Sequence, residues 1–316
     1  MTEELAEQQG PTQNLLQDPA YHLSSRGVIQ CSGTDGAEAC ISVLQTLVCS
    51  SLDALPEKAV FTHVLNAEGC LFADLFVWEH ESSLLIECAR RTIPELRKLI
   101  YETALPQRVQ CEDVSDQWRV FARLPDQNYF DDGTLLLRCT DPRRHMGARM
   151  LRPASLPRSY DWGSELKWVG HALKLGFLPT SEVLTEHDDL SLTPLEAGLH
   201  ALNLLERDRL PEKQQKYIDD PKHSLRRRLL PVRIEPNAFV FADMGGTSIA
   251  ADELVVGRII THQSLYGLAL VHIEPWRKAL AAGKELRCCD QQVLITWPSW
   301  LAQESLGRGG PVAMAN

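Results

Sequence analysis

Phe61-Thr-His-Val-Leu-Asn-Ala-Glu-Gly-Cys-Leu-Phe-Ala-Asp74-Leu-Phe-Val-Trp78 reads as a strand, a tight turn at Asn66–Gly69 and a second strand. Strand residues alternate sides, so counting from Asp74 puts Phe72, Phe76 and Trp78 on its face. Leu71, Ala73, Leu75 and Val77 then take the other face, and both sides of the hairpin are expected to be covered. One carboxylate inside this apolar run demands fixed hydrogen-bond donors. An arginine or a backbone turn of the protein would serve, and so would the N–H edge of a flat heterocycle stacked on the aromatic rings. The hairpin alone leaves both open.

Around it, Gly27–Gly33 reads as a strand leading into a helix with Ala37, Ile41, Leu44 and Val48 at helical spacing and Asp35 as its N-cap. Ser83–Cys88 is a strand and Thr92–Thr103 an amphipathic helix; Arg108–Val114 and Trp118–Leu124 are strands. The resulting β-hairpin-α-β-β order makes 60–124 an inserted subdomain within an α+β region over 21–205. Leu135–Cys139 is a further strand, Asp141–Gly147 a turn-rich loop, and 153–190 helical pieces joined by loops. After a segment at 206–225, the short strands Leu229–Ile234, Phe239–Phe241, Leu254–Ile260, Gly267–Ile273 and Gln292–Thr296 predict a C-terminal β-barrel over 226–302. Residues 1–20 and 303–316 read as tails.

The chain has 316 residues, 44% hydrophobic and 23% charged, which suits a globular protein with a real core. A net charge of −10 argues against a broad nucleic-acid surface. The cluster of Lys222, His223 and Arg226–Arg228 reads as a solvated strand entrance. No apolar run reaches membrane-spanning length, and the acidic start shows neither a secretory signal nor an Arg-rich transit peptide. Nine cysteines form no C-x-x-C pair, a pattern of buried thiols in a reducing compartment, and no metal set is expected from them or from the histidines.

In Thr193-Pro-Leu-Glu196, Thr193 as N-cap, Pro194 at the first helical position and Glu196 at the third make a capping box. Glu196 either closes that cap or turns its carboxylate to a ligand.

Taken in order, Asn66-Ala-Glu-Gly69 with Asp74, Asp141-Pro-Arg-Arg-His-Met-Gly147, Pro194-Leu-Glu-Ala-Gly198 and Arg227-Arg-Leu-Leu-Pro-Val232 resemble the folate-binding relatives of the glycine-cleavage T-protein (aminomethyltransferase). Within them the chain is most similar to the YgfZ-type branch and its mitochondrial iron–sulfur cluster assembly factors. The likeness runs from about Ser25 to Trp300. It implies an α+β T-protein-like fold with ferredoxin-like subdomains and a C-terminal barrel around a channel for tetrahydrofolate, with Asn66, Asp74 and Glu196 as cofactor-binding residues. It also implies a role in [4Fe–4S] enzyme maturation in the mitochondrial matrix, with the cytoplasm as the alternative. Its partners would be scaffold proteins and client apo-enzymes, with neither nucleic acid nor membrane. The branch carries Lys-Gly-Cys-Tyr-x-Gly-Gln-Glu after the Pro-Leu-Glu helix. Here the matching interval Glu206–Asp220 has no cysteine, so a thiol nucleophile is missing and no catalytic residue is assigned. The alternatives are an aminomethyltransferase of one-carbon metabolism, a degenerate family member serving as a structural subunit, and a simple folate carrier.

Overall fold

The computed structural model describes residues 20–104, 109–125, 137–156, 163–180, 183, 190–219, 225–235 and 243–301. The first stretch holds β1 (Tyr21–His22), β2 (Arg26–Gly33), α1 (Ala37–Gln45), β3 (Val60–Leu65), β4 (Leu71–His80), β5 (Ser83–Ala89) and α2 (Ile93–Ala104). Then come β6 (Val109–Asp113), β7 (Trp118–Arg123), β8 (Leu137–Thr140), β9 (Ala148–Pro153), α3 (Glu165–Leu175) and α4 (Glu212–Asp219). The last part contains β10 (Arg227–Glu235), β11 (Ser248–Ala251), β12 (Leu254–Gln263), β13 (Tyr266–His272), α5 (Ile273–Ala281), β14 (Arg287–Cys288) and β15 (Gln291–Ile295).

Three sheets result: a five-stranded one in the order β3-β4-β5-β2-β6, a four-stranded one in the order β1-β7-β9-β8, and a closed barrel β10-β13-β12-β11-β14-β15. The expected α+β architecture with a C-terminal barrel is the one observed. The limits of the inserted unit differ. β2 lies inside the five-stranded sheet between β5 and β6, while β7 leaves it for the second sheet. The unit around the hairpin is therefore 26–113 rather than 60–124, because β2 supplies the central pairing that a hairpin of its own length lacks. The tails and Phe239–Phe241 lie outside the described residues.

One face of the five-stranded sheet packs Ile29, Leu84 and Ile86 under α1 and α2. Its other face carries Val28, Phe76 and Leu85 into a second core shared with the four-stranded sheet and the barrel. At the N-terminus of α1 the cap position is Gly36, with no side-chain cap bond, so Asp35 does not play that part.

Three local departures shape the interior. A bulge between Val64 and Leu65 pairs Val64 with Ala73 and Leu65 with Leu71, leaving Phe72 extra. Leu71 thereby joins the face of Phe76 and Trp78, and Phe72 packs with Leu75 and Val77. Thr193–Leu205 is not the expected helix. It makes one turn, closed by the amides of Ala197 and Leu199 on Thr193 and Pro194, and then a 3-10 helix over Leu199–Leu202. There Gly198 turns left-handed at φ 77° to clear Trp300, whose ring stands 2.8 Å from where a Cβ would sit. Trp300 in turn stacks on Phe177 at 4.8 Å. The segment without the family cysteine folds as α4. Its Gln214 donates from Nε2 to the Gly69 carbonyl at 2.6 Å and so clamps the hairpin turn.

Candidate functional site

Asp74 sits on β4 directly across from His63 on β3 and is buried. Its donor is the protein's own. Arg26 Nη1 reaches Asp74 Oδ2 at 2.6 Å, while Arg26 Nε reaches Glu87 Oε1 at 2.7 Å. Neighbouring strands make this possible, since β2, β4 and β5 place Arg26, Asp74 and Glu87 on one face of the sheet.

The four-stranded sheet adds the rest. Arg149 on β9 stands between the rings of Phe76 and Trp168, 4.7 and 4.8 Å from their centroids. Its Nη1 lies 3.4 Å from Glu87 Oε1 and its Nη2 3.7 Å from Asp141 Oδ2. Asp141 holds Arg143 in a fork, accepting from Nε at 3.0 Å and from Nη2 at 2.6 Å, and Arg143 lies over the Phe61 ring. Arg26, Arg143 and Arg149 thus face Asp74, Asp141 and Glu87, three buried cations against three buried anions. Burial depresses the Arg26 guanidinium, but Asp74 and Glu87 outweigh it and hold it above its ordinary value. At Arg149 burial wins, reinforced by its two neighbouring cations.

Beside this network lies a cavity of about 30 Å³ lined by Phe61, His63, Leu71, Asp74, Arg143 and Phe177. That is room for one or two water molecules. Binding pockets for organic ligands run from ~300 Å³ upward. With Asp74 gripped by Arg26 and this volume beside it, the residues as placed do not fit a pteridine ring.

The other two expected ligand residues also have internal partners. Asn66 Oδ1 accepts from the amides of Glu68 at 3.1 Å and Cys70 at 2.9 Å, which shapes the hairpin turn. Glu196 closes the capping box, with Thr193 N–H on its Oε2 at 2.9 Å, and pairs with Arg227 Nε at 2.8 Å. The structure brings neither to the cavity beside Asp74. Sequence reasoning missed Arg26, Glu87 and Arg149, whose only trace is that they are charged residues inside apolar strands. Burial pushes the nearby Cys88 and Cys139 thiols up to about 12, so neither offers a thiolate at neutral pH. Among the described residues no group of three or more His, Cys, Asp or Glu is placed to hold a metal ion.

Residues 226–303 match the family model for the CAF17 C-terminal beta-barrel domain. No curated protein matches the chain in sequence. Its structure is similar to the glycine cleavage system aminomethyltransferase T from Bartonella henselae, with a TM-score of 0.60 over 88% of this chain and 84% of that one. The chain has the aminomethyltransferase fold. At 11% identity the likeness reaches no further than the fold. Within it, the expected pocket position holds ion pairs.

Burial, reinforced by the charges of Arg143 and Arg26, drives the His63 imidazole down to about 4 against the pull of Asp74. Unfolded histidine titrates near 6.5. Between these values the unfolded chain binds a proton that the folded chain refuses. Stability is therefore full above pH 6.5 and falls with acidification, by about 1.4 kcal/mol per pH unit from this residue. Replacing His63 with Gln is expected to flatten the urea midpoint against pH by that slope between pH 6.5 and 5. An unchanged slope would mean that the folded protein protonates His63.

Proposed function

We propose that this chain is an accessory factor in iron–sulfur cluster maturation that serves [4Fe–4S] enzymes in the mitochondrial matrix. The observation that carries the reading is the barrel: a CAF17-type C-terminal domain on a chain with an aminomethyltransferase fold. The motifs that resemble the YgfZ-type branch point the same way. The site supports a role without turnover. Its charges are paired with one another, its nearest thiols are protonated, and the segment that carries the family cysteine serves here to clamp a turn. The cluster is held by partner scaffold proteins and passed to client apo-enzymes, and this chain acts by binding them. No step is routed through tetrahydrofolate.

Depletion of the protein tests the reading. Aconitase and succinate dehydrogenase activities and the lipoylated enzymes are expected to fall, while enzymes without clusters hold steady. Normal cluster enzymes together with impaired methylenetetrahydrofolate formation would instead select an aminomethyltransferase and discard this proposal.

A further inference from the structure

Cys31 on β2 and Cys111 on β6 are register partners at the edge of the five-stranded sheet. Among the described residues no other register pair of this sheet sets two cysteines opposite each other. The backbone bond between these strands falls at Val114 N–H to Val28 carbonyl, 2.9 Å. Antiparallel positions alternate, so Ile29 with Asp113 and Cys31 with Cys111 occupy the sites without cross-strand backbone bonds. At such sites Cα atoms approach to about 4.5 Å and the side chains come closest. A disulfide spans Cα separations of about 4.4–6.8 Å.

The Cys111 carbonyl agrees with this register. It points off the sheet edge and accepts from Arg97 Nε at 3.1 Å and Nη2 at 2.9 Å. Cys31 is buried and Cys111 partly exposed, so one thiol is sheltered and the other can be reached. The two thiols interact. Cys31 draws the Cys111 thiol below its ordinary value, helped by the Arg97 charge and opposed by burial. The same interaction and burial push Cys31 up. A partly exposed, more acidic thiol beside a sheltered resolving thiol is the arrangement that thiol–disulfide exchange needs.

We propose that Cys31 and Cys111 form a thiol–disulfide exchange site for low-molecular-weight disulfides and close a reversible cross-strand disulfide. The Cys111 thiolate attacks one sulfur of R–S–S–R, forming a mixed disulfide and expelling the other sulfur as RS⁻. Cys31 then gives up its proton and attacks the Cys111 sulfur, and the second RS⁻ leaves. The two protein thiols lose two electrons, and the disulfide is reduced to two RSH. The site is separate from the charge network and does not rest on the maturation role.

The test uses the full chain carrying Cys289→Ser, which removes the exposed thiol of the β14–β15 turn. Reduced protein is titrated with glutathione disulfide, alkylated and mapped by peptide mass. The expected result is joint loss of alkylation at Cys31 and Cys111, with the two peptides linked and no glutathione retained; dithiothreitol restores both. In the further variant Cys31→Ser, glutathione is expected to remain on Cys111. A lasting glutathione adduct on Cys111 with Cys31 intact, or continued alkylation of both, would overturn the proposal. A thermal melt of each variant shows that the readout comes from folded protein.

Discussion

Arg26→Met is expected to cost about 3–5 kcal/mol at neutral pH, read as a drop in the urea midpoint. The guanidinium is 1% exposed and serves two carboxylates at once, Asp74 at 2.6 Å and Glu87 at 2.7 Å. Methionine fills much of the same volume, so the loss is electrostatic rather than a cavity effect. What remains is two acids in the interior, one of which, Glu87, still has Arg149 3.4 Å away. Adding Asp74→Asn and Glu87→Gln is expected to recover stability at neutral pH, since neutral groups in place of a buried ion set are often tolerated. If Arg26→Met alone costs less than ~1 kcal/mol, water reaches these charges and the pairs do not hold β2 to β4 and β5.

The hairpin, the two helices over the first sheet and the barrel were legible because each leaves a local mark: a period of two, a period of 3.6, or turn residues at regular spacing. Asp74 was legible as an anomaly, but its partner was not. Arg26 is 48 residues away in sequence and meets it only because β2 enters the sheet beside β5. The bulge at Val64–Leu65 carries no glycine or proline to announce it. It is held in place by Leu71 N–H on the Leu192 carbonyl, 2.8 Å, from a segment far along the chain. The helix expected at Thr193 satisfied every local rule at its start. After one turn the chain turns left-handed at Gly198, where the Trp300 ring leaves no room for a side chain, and goes on as a 3-10 helix over Leu199–Leu202. The cysteines looked scattered for the same reason, since Cys31 and Cys111 become neighbours only through sheet register. Periodicity reports which side of an element is covered, while register and ion pairing decide what covers it.

Gly147→Ala is the second substitution with a large expected effect, above ~4 kcal/mol or outright loss of soluble protein. Gly147 ends the loop Asp141–Gly147 at φ 80°, and a Cβ there would fall on the Arg123 carbonyl oxygen, closer than any non-bonded contact allows. Both atoms are backbone-fixed, for Arg123 pairs with Ala148 in the next register position of β7 and β9. Relief therefore requires either parting the two strands or releasing the loop. The loop is tied at Asp141 N–H to Gly147 carbonyl, 2.9 Å, and at Met146 N–H to Arg143 carbonyl, 3.1 Å. Moving it misplaces Asp141 and Arg143, and moving β9 misplaces Arg149, so either route disturbs the buried charge network. Gly170→Ala is the control: it lies inside α3, its nearest neighbour is 4.0 Å from the added carbon, and it should stabilise by about 0.5–1 kcal/mol. Chemical denaturation of the pair separates the effects. A tolerated Gly147→Ala would mean that the strands open there without cost, and the Asp-Pro-Arg-Arg-His-Met-Gly motif would then need an explanation other than the placing of Asp141 and Arg143 against the hairpin.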